Sequence, residues 1–186
     1  MVKELIRFIY VIVGNLHRAW MIPLMGYYSR HPEKYSERFR YEYNKHAIRL
    51  MNHTGRIYTQ AYGAENLPKD GGYVMFANHQ GKYDALGIML THEEPCSVVM
   101  DEARSKMPLV KQFIDMVGGK RLCLHDLRQA ARVIREVSKE VGYGVNILFS
   151  RQAVTAIAMA IMWMRLRRAA LRVPCVRKHR SYRLHW

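Results

Sequence analysis

Apolar residues fall along this chain in two periods, and the change from one to the other divides it. Leu5–Met25 holds apolar runs at Phe8–Val13 and Ala19–Met25, interrupted by Arg7, Asn15, His17 and Arg18. A spanning helix needs about 20 mainly apolar residues, and the polar Asn15-Leu-His-Arg18 at the centre makes this a poor one. The pattern suits a helix lying in or against a bilayer surface, with Arg and Trp at the interface, or one packed on its own domain. No small-residue cleavage site follows a clean apolar core, which argues against a secretory signal. His31–Thr54 predicts a second helix. Pro32 suits its first turn, Tyr35, Phe39, Tyr43, Ile48 and Met51 form a rough stripe, and Gly55 ends it.

From residue 56 the pattern alternates between strand and helix. Arg56–Tyr62 alternates as a half-buried strand does. Gly63–Pro68 and Lys69–Gly72 carry turn chemistry. Tyr73–Ala77 is a short apolar strand, and Lys82–Leu90 a helix. Ser97–Met100 reads as a strand, and Met107–Val117 as a helix with Pro108 in its first turn, broken by Gly118-Gly119. Arg121–Leu124 is another strand. Asp126 is a plausible N-cap for Leu127–Val141, whose Leu127, Ala130, Ala131, Ile134, Val137 and Val141 keep helical spacing; Val145–Phe149 is the next strand. Strands alternating with helices predict an α/β domain around a mainly parallel sheet, preceded by N-terminal membrane-associated helices.

A chain of 186 residues can bury a core of its own as one domain. Its net charge of +15 points to an acidic partner such as anionic lipid, nucleic acid or a phosphorylated substrate. Residues 1–148 carry 21 Lys and Arg against 15 Asp and Glu; residues 149–186 carry 9 Lys and Arg and no acid. Most of the basicity is therefore in the last fifth of the chain. Three scattered cysteines, Cys96, Cys123 and Cys175, argue against a disulfide framework or a zinc site and fit a reducing compartment.

The chemistry concentrates where Tyr73–Ala77 ends in Asn78-His79, with Asp84 five residues after His79 at the start of a helix. A neutral imidazole takes a proton from an attacking hydroxyl, worth roughly 10²–10⁴-fold in rate, and a neighbouring carboxylate fixes its tautomer and stabilises the imidazolium. No serine or cysteine adjoins the pair, so the nucleophile would be a hydroxyl of the substrate and the reaction a transfer without a covalent enzyme intermediate. By themselves a lone His and Asp at this spacing favour a strand end and a helix start with no chemistry, because a catalytic role needs geometry.

The surroundings shift that balance. Asn-His-x-x-x-x-Asp after an apolar strand resembles the first motif of the glycerolipid acyltransferase family, the 1-acylglycerol-3-phosphate acyltransferases. Gly63-x-Glu65-Asn66-Leu67-Pro68 and the basic, apolar lead-in are also similar to that family. The resemblance implies that His79 is the base on the acceptor hydroxyl and Asp84 its orienting partner. It implies a donor thioester on coenzyme A or acyl carrier protein, with no resident cofactor and no metal. The family's second motif is a glycine, a short apolar strand and an arginine that holds the acceptor phosphate. Here Gly119-Lys-Arg-Leu-Cys-Leu-His-Asp-Leu-Arg128 stands in that region, with His125 at the place of the main arginine. Arg128 matches a second basic position, and Arg128 and Arg121 are the candidate phosphate ligands, by the planar fork that arginine offers. A solvated basic face accounts for these two nearly as well.

The family's third motif should follow Val145–Leu148 directly. Instead the chain reads Phe149-Ser-Arg-Gln-Ala-Val-Thr155, an Ala/Met/Trp run and an Arg-rich end. One account is a basic amphipathic tail: Ala153–Met164 is too short to span a bilayer but could anchor at its surface. The other is a lost base in the codons for Ile147–Phe149. Back-translated and read one base earlier, Phe149–Thr155 becomes compatible with Ile-Phe-Pro-Ala-Gly-Gly-Tyr. The stretch ending at Trp186 becomes compatible with one containing Phe-Lys-Ala-Gly and then Pro-Ile-Val-Pro-Val. These resemble the missing third motif, the segment after it and the fourth motif, in family order and in one frame. The Glu of the usual third motif is not recovered.

The sequence therefore predicts a membrane-associated helical segment at 1–54, a partial acyltransferase α/β domain at 55–148 and a frameshifted basic tail at 149–186. The implied function is acylation of the free hydroxyl of 1-acylglycerol 3-phosphate, in phospholipid synthesis, peripherally at the cytoplasmic face of the cell membrane, with the chain inactive as written. The rival is a non-catalytic basic protein of the membrane surface. Nucleic-acid binding rests on charge alone and lapses once the tail is set aside.

Overall fold

The computed structural model describes residues 2–77, 83–123 and 125–150. The N-terminal segment is two helices where the sequence predicts one. Helix α1, Val2–Gly14, ends in a 3₁₀ turn at Leu16–Arg18, and α2 runs Met21–Arg30. Asn15 makes the break: its amide donates to Val11 O at 2.7 Å, and its side-chain oxygen accepts from Arg18 at 2.9 Å and Thr54 at 3.3 Å. A short polar side chain that bonds nearby backbone competes with the helix ladder. No described helix is long and apolar enough to cross a membrane.

Helix α3 spans Glu37–Gly55, six residues shorter at its start than the stripe predicts. Ser36 decides the boundary by accepting the Phe39 N–H at 3.2 Å, an N-cap that satisfies one of the helix's orphan donors. Pro32 lies in the preceding turn, where Lys34 N and Tyr35 N both bond His31 O at 3.1 Å. Glycines let α1 and α3 approach closely: a Cβ on Gly14 would meet Thr54 at 2.6 Å, and one on Gly55 would meet Val11 at 2.9 Å.

The predicted strand Arg56–Tyr62 is not one. Its residues alternate between half-buried and exposed, as the pattern requires, but they form no ladder among the described residues. Four strands do pair: β1 Val74–Phe76, β2 Cys96–Asp101, β3 Lys120–Leu122 and β4 Asn146–Phe149. The sheet order is β1-β4-β2-β3 and every pairing is parallel, as the alternation predicts. The intervening helices are α4 Asp84–Thr91, a short α5 Glu102–Ser105 that the sequence pattern does not signal, α6 Val110–Met116 and α7 Leu127–Gly142. Pro108 again precedes its helix, in a turn before Val110.

Side chains alternate across the strands and build two cores. Met75, Cys96, Val98, Met100 and Leu148 face one side, where α2, α3, α4 and α6 cover them. Val74, Val99, Leu122, Ile147 and Phe149 face the other, covered by Ala130, Ala131, Ile134 and Val137 of α7. The described residues form a three-layer α/β/α domain in which α7 is the one described helix on its side.

A buried polar relay ties the first layer to the start of the sheet. The Tyr41 hydroxyl of α3 donates to Met89 O at 2.9 Å. His92, after α4, places Nδ1 against Glu94 O and Nε2 against the Tyr73 hydroxyl at 2.6 Å. A carbonyl only accepts, so Nδ1 carries the proton and Nε2 accepts from Tyr73. Burial pushes the His92 pKa below its ordinary value, against the smaller opposing pull of Glu94. A depressed imidazole pKa means that the unfolded chain binds a proton more readily than the folded one. His92 therefore supports the fold above the ordinary histidine pKa, and that support is lost as pH falls through its lower folded value. Urea titrations from pH 7.5 to 5 are expected to show a loss approaching 1.4 kcal/mol per pH unit from this group at most, and a flatter profile for His92→Gln.

Gly72 supplies a second test. A Cβ there would lie 2.5 Å from Val141 O and 2.6 Å from Val145 O, where the end of α7 crosses the entrance to β1. Backbone cannot move aside, so Gly72→Ala is expected to cost roughly 1–3 kcal/mol by overpacking. Gly142→Ala, with nothing within 4 Å, should be neutral or slightly stabilising in the same denaturation assay.

Candidate active site

All four strands run the same way, so their carboxyl ends share one edge of the sheet. In open α/β sheets that edge is where ligands bind. Here it gathers Ala77 after β1, Ser150 after β4, Asp101 at the end of β2 and Cys123 after β3.

Asp84 is the first residue of α4 and is buried, 9% exposed. A carboxylate in a first turn is favoured by the helix dipole. Its neighbour Tyr83 holds the turn in place: the Tyr83 hydroxyl bonds the Asn52 amide of α3 and, at 2.8 Å, the Thr59 hydroxyl. Three separate segments thus meet on one phenol at the N-terminus of the helix that carries Asp84. His79 lies outside the described residues.

On the far side of the edge, Asp126 caps α7. Its carboxylate accepts from Arg128 N at 2.9 Å and Gln129 N at 3.0 Å, and the Gln129 N–H above all, with that of Arg128, holds the Asp126 carboxyl below its ordinary value. The Arg128 side chain is exposed in the first turn of α7, beside the end of β3. Arg121 is placed differently. It points to the α6 side of β3 and pairs with Asp115. Burial raises the Asp115 carboxyl, but hydrogen bonds from Lys111 and Arg121 outweigh it and leave it below its ordinary value. Lys120 points to the opposite face and pairs with Glu140 of α7 at 2.8 Å. Of the sequence's two phosphate candidates, Arg128 stands exposed at the carboxyl edge and Arg121 is held by a carboxylate.

The strand order sets the spacing of these parts. β1 and β3 occupy the two sides of the sheet with β4 and β2 between them, roughly 14 Å apart at the usual strand spacing. The end of β4 sits next to β1, between the Asp84 side and the Arg128 side. Ser150 closes that strand with its N–H on Val99 O at 3.0 Å; its hydroxyl is buried without a partner among the described residues.

A family model described as Acyltransferase matches residues 59–173, more than half of the chain. The chain belongs to this acyltransferase family. Its chemistry is acyl transfer, and the match begins at Thr59, one of the two residues that hold Tyr83. Helices α1–α3 precede the match. At its other end the match continues past Leu148 to Val173, beyond the described residues. No curated protein and no solved structure matches the chain.

The sequence points to Asp84 and Arg128 but not to Asn52, Thr59 or Tyr83. A faint signal exists: Asn44 and Asn52 are polar, eight residues apart on the buried face of α3, and both turn out buried. Removing the shared phenol oxygen in Tyr83→Phe leaves the Asn52 amide without this partner, and is expected to cost about 1–3 kcal/mol in a chemical denaturation series.

Proposed function

We propose that the fold encoded here transfers a fatty acyl group from a thioester of coenzyme A or acyl carrier protein to the free hydroxyl of 1-acylglycerol 3-phosphate at a membrane surface. The observation that carries this reading is the buried Asp84 at the start of α4, directly beyond β1, on the sheet edge that also bears Arg128. In the proposed reaction His79, oriented by Asp84, takes the proton of the acceptor hydroxyl as its oxygen attacks the thioester carbonyl. The tetrahedral intermediate collapses, the carbon–sulfur bond breaks, and the imidazolium returns the proton to the leaving thiolate. Arg128 holds the acceptor phosphate through its guanidinium fork. No resident cofactor or metal takes part. The apolar side chains exposed on the lead-in, among them Ile6, Ile9, Val13 and Trp20, support a peripheral seat on a bilayer, which the proposal places at the cytoplasmic face of the cell membrane.

The proposal extends to the end of the chain. Ser150, the described residue after β4, lies beside the end of β1 on the carboxyl edge, and a base lost in the codons for Ile147–Phe149 would change the sequence from that point on. The ordered matches in the other frame support such a loss, and so does the Ser150 hydroxyl, buried without a partner among the described residues at the first position beyond β4, where that frame supplies a phenylalanine. One observation weighs the other way: the family match continues to Val173 in the frame as written.

Resequencing codons 147–149 is expected to find the extra base. A frame-restored chain should acylate 1-acylglycerol 3-phosphate, with the 186-residue chain at least about 100-fold slower and His79→Ala in the restored chain slower by roughly 10²–10⁴-fold. Transfer by the 186-residue chain that disappears on His79→Ala would overturn the inactivity, and an undiminished rate in the restored His79→Ala chain would overturn the base.

A further inference from the structure

Helices α2 and α6 turn Met21, Met25, Phe113, Ile114 and Met116 into the core, and a groove of about 300 Å³ lies between their other faces. Ligand clefts begin at about this size. One end of the groove is apolar. Ile22 and Pro23 line it in the first turn of α2, and Trp20, three residues before Pro23 on the same face, is 61% exposed. Arg30 lines it two turns further on, about 10 Å from Pro23, and α6 adds Lys111, Gln112 and Asp115. Two cations therefore face one acid, and that acid is already shared: Asp115 meets Lys111 at 2.6 Å and also Arg121 of β3. The Arg30 guanidinium forms no salt bridge with a described residue. It lies back along α2, with Nη2 3.9 Å from where a Cβ on Gly26 would stand, so the glycine keeps space open beside the charge. The Gln112 side-chain oxygen is buried without a partner among the described residues. An amide oxygen left so costs free energy that a hydroxyl donor from a ligand recovers.

From this lining we propose that the α2–α6 groove binds a single anionic phospholipid with a hydroxylated headgroup. The phosphodiester sits on Arg30 and Lys111, a headgroup hydroxyl donates to Gln112, and the first methylenes of the chains lie over Ile22, Pro23 and Trp20. Both kinds of cation suit phosphate oxygens, the arginine through its fork and the lysine as a point charge. A free anion would leave the apolar end unused, and a lipid without net charge would leave the cations uncompensated. The groove is separate from the carboxyl edge of the sheet, because its residues come from the faces of α2 and α6 turned away from the core, and Pro23, Arg30 and Lys111 are exposed. Its occupation does not depend on the acyl-transfer reading. It also differs from a general seat on a bilayer, since one lipid is held at a fixed place on the chain.

The test titrates the full 186-residue chain with dihexanoyl phosphatidylglycerol, kept below its micellar concentration so that no bilayer forms, and reads affinity and stoichiometry by calorimetry. One lipid is expected per chain. Dihexanoyl phosphatidylcholine, with the same chains and a cationic headgroup, and glycerol 3-phosphate, with no chains, are each expected to bind at least about 10-fold more weakly. Arg30→Gln, at an exposed side chain, and Gly26→Leu, which fills the groove with a better helix former, are each expected to weaken the lipid about 10-fold, the scale of one hydrogen bond to a charged group. Lys34→Gln/Arg49→Gln, which removes more charge at exposed positions outside the groove, and Arg128→Gln on the carboxyl edge should each change it less than about 2-fold. Phosphatidylcholine or glycerol 3-phosphate binding as tightly as phosphatidylglycerol, an unchanged affinity in Gly26→Leu, or no binding by the unaltered chain each overturn the proposal. So does a loss in the Lys34/Arg49 pair or in Arg128→Gln that equals the loss in Arg30→Gln.

Discussion

The placement of β4 is the constraint on which the structure depends. It is the last described strand in sequence but lies inside the sheet, hydrogen-bonded to β1 on one side and β2 on the other. Its Leu148 completes the core beneath α2, α3, α4 and α6, and Ile147 and Phe149 complete the core beneath α7. All three are at most 3% exposed, each a burial worth about 1.5–3 kcal/mol. β1 has no other ladder partner among the described residues, so its place in the sheet is fixed through β4, while α4 and Asp84 are held through Tyr83 on Asn52 and Thr59.

That topology gives the end of the chain its importance. A strand inserted between β1 and β2 brings the residue that closes it, Ser150, to the middle of the carboxyl edge. Asp84 and Arg128 are separated by the strands, and Ser150 lies between them.

The charged residues divide by the face of the sheet on which they emerge. Lys120 and Arg121 are adjacent in sequence yet point to opposite layers, one to the acids of α7 and the other to Asp115. Both are neutralised locally. Arg128 and its neighbours along α7 are exposed and form no salt bridge with a described residue, though Asp126 at the cap acts on Arg128 and Arg132. Among the described residues, the exposed cations of α7 form a row along one face of that helix.

Local chemistry made much of this molecule legible from its residues. The i, i+3, i+4 spacing and Asp126 give α7 and its cap within a residue. The short apolar runs give β2 and β4, and the alternation gives a parallel sheet. The family follows from Asn78, His79 and Asp84, a spacing that chemistry and resemblance identify without coordinates. Period-two alternation could not reveal that Arg56–Tyr62 lacks a ladder, because pairing depends on which strand is near. Proline position likewise misled at Pro32 and Pro108, where a turn and the Ser36 hydroxyl set the helix starts. The order β1-β4-β2-β3, the meeting of Asn52 and Thr59 on Tyr83, and the capture of Arg121 by Asp115 belong to the tertiary structure alone. Each is a contact between segments distant in sequence, chosen by which faces pack, and no local pattern encodes that choice.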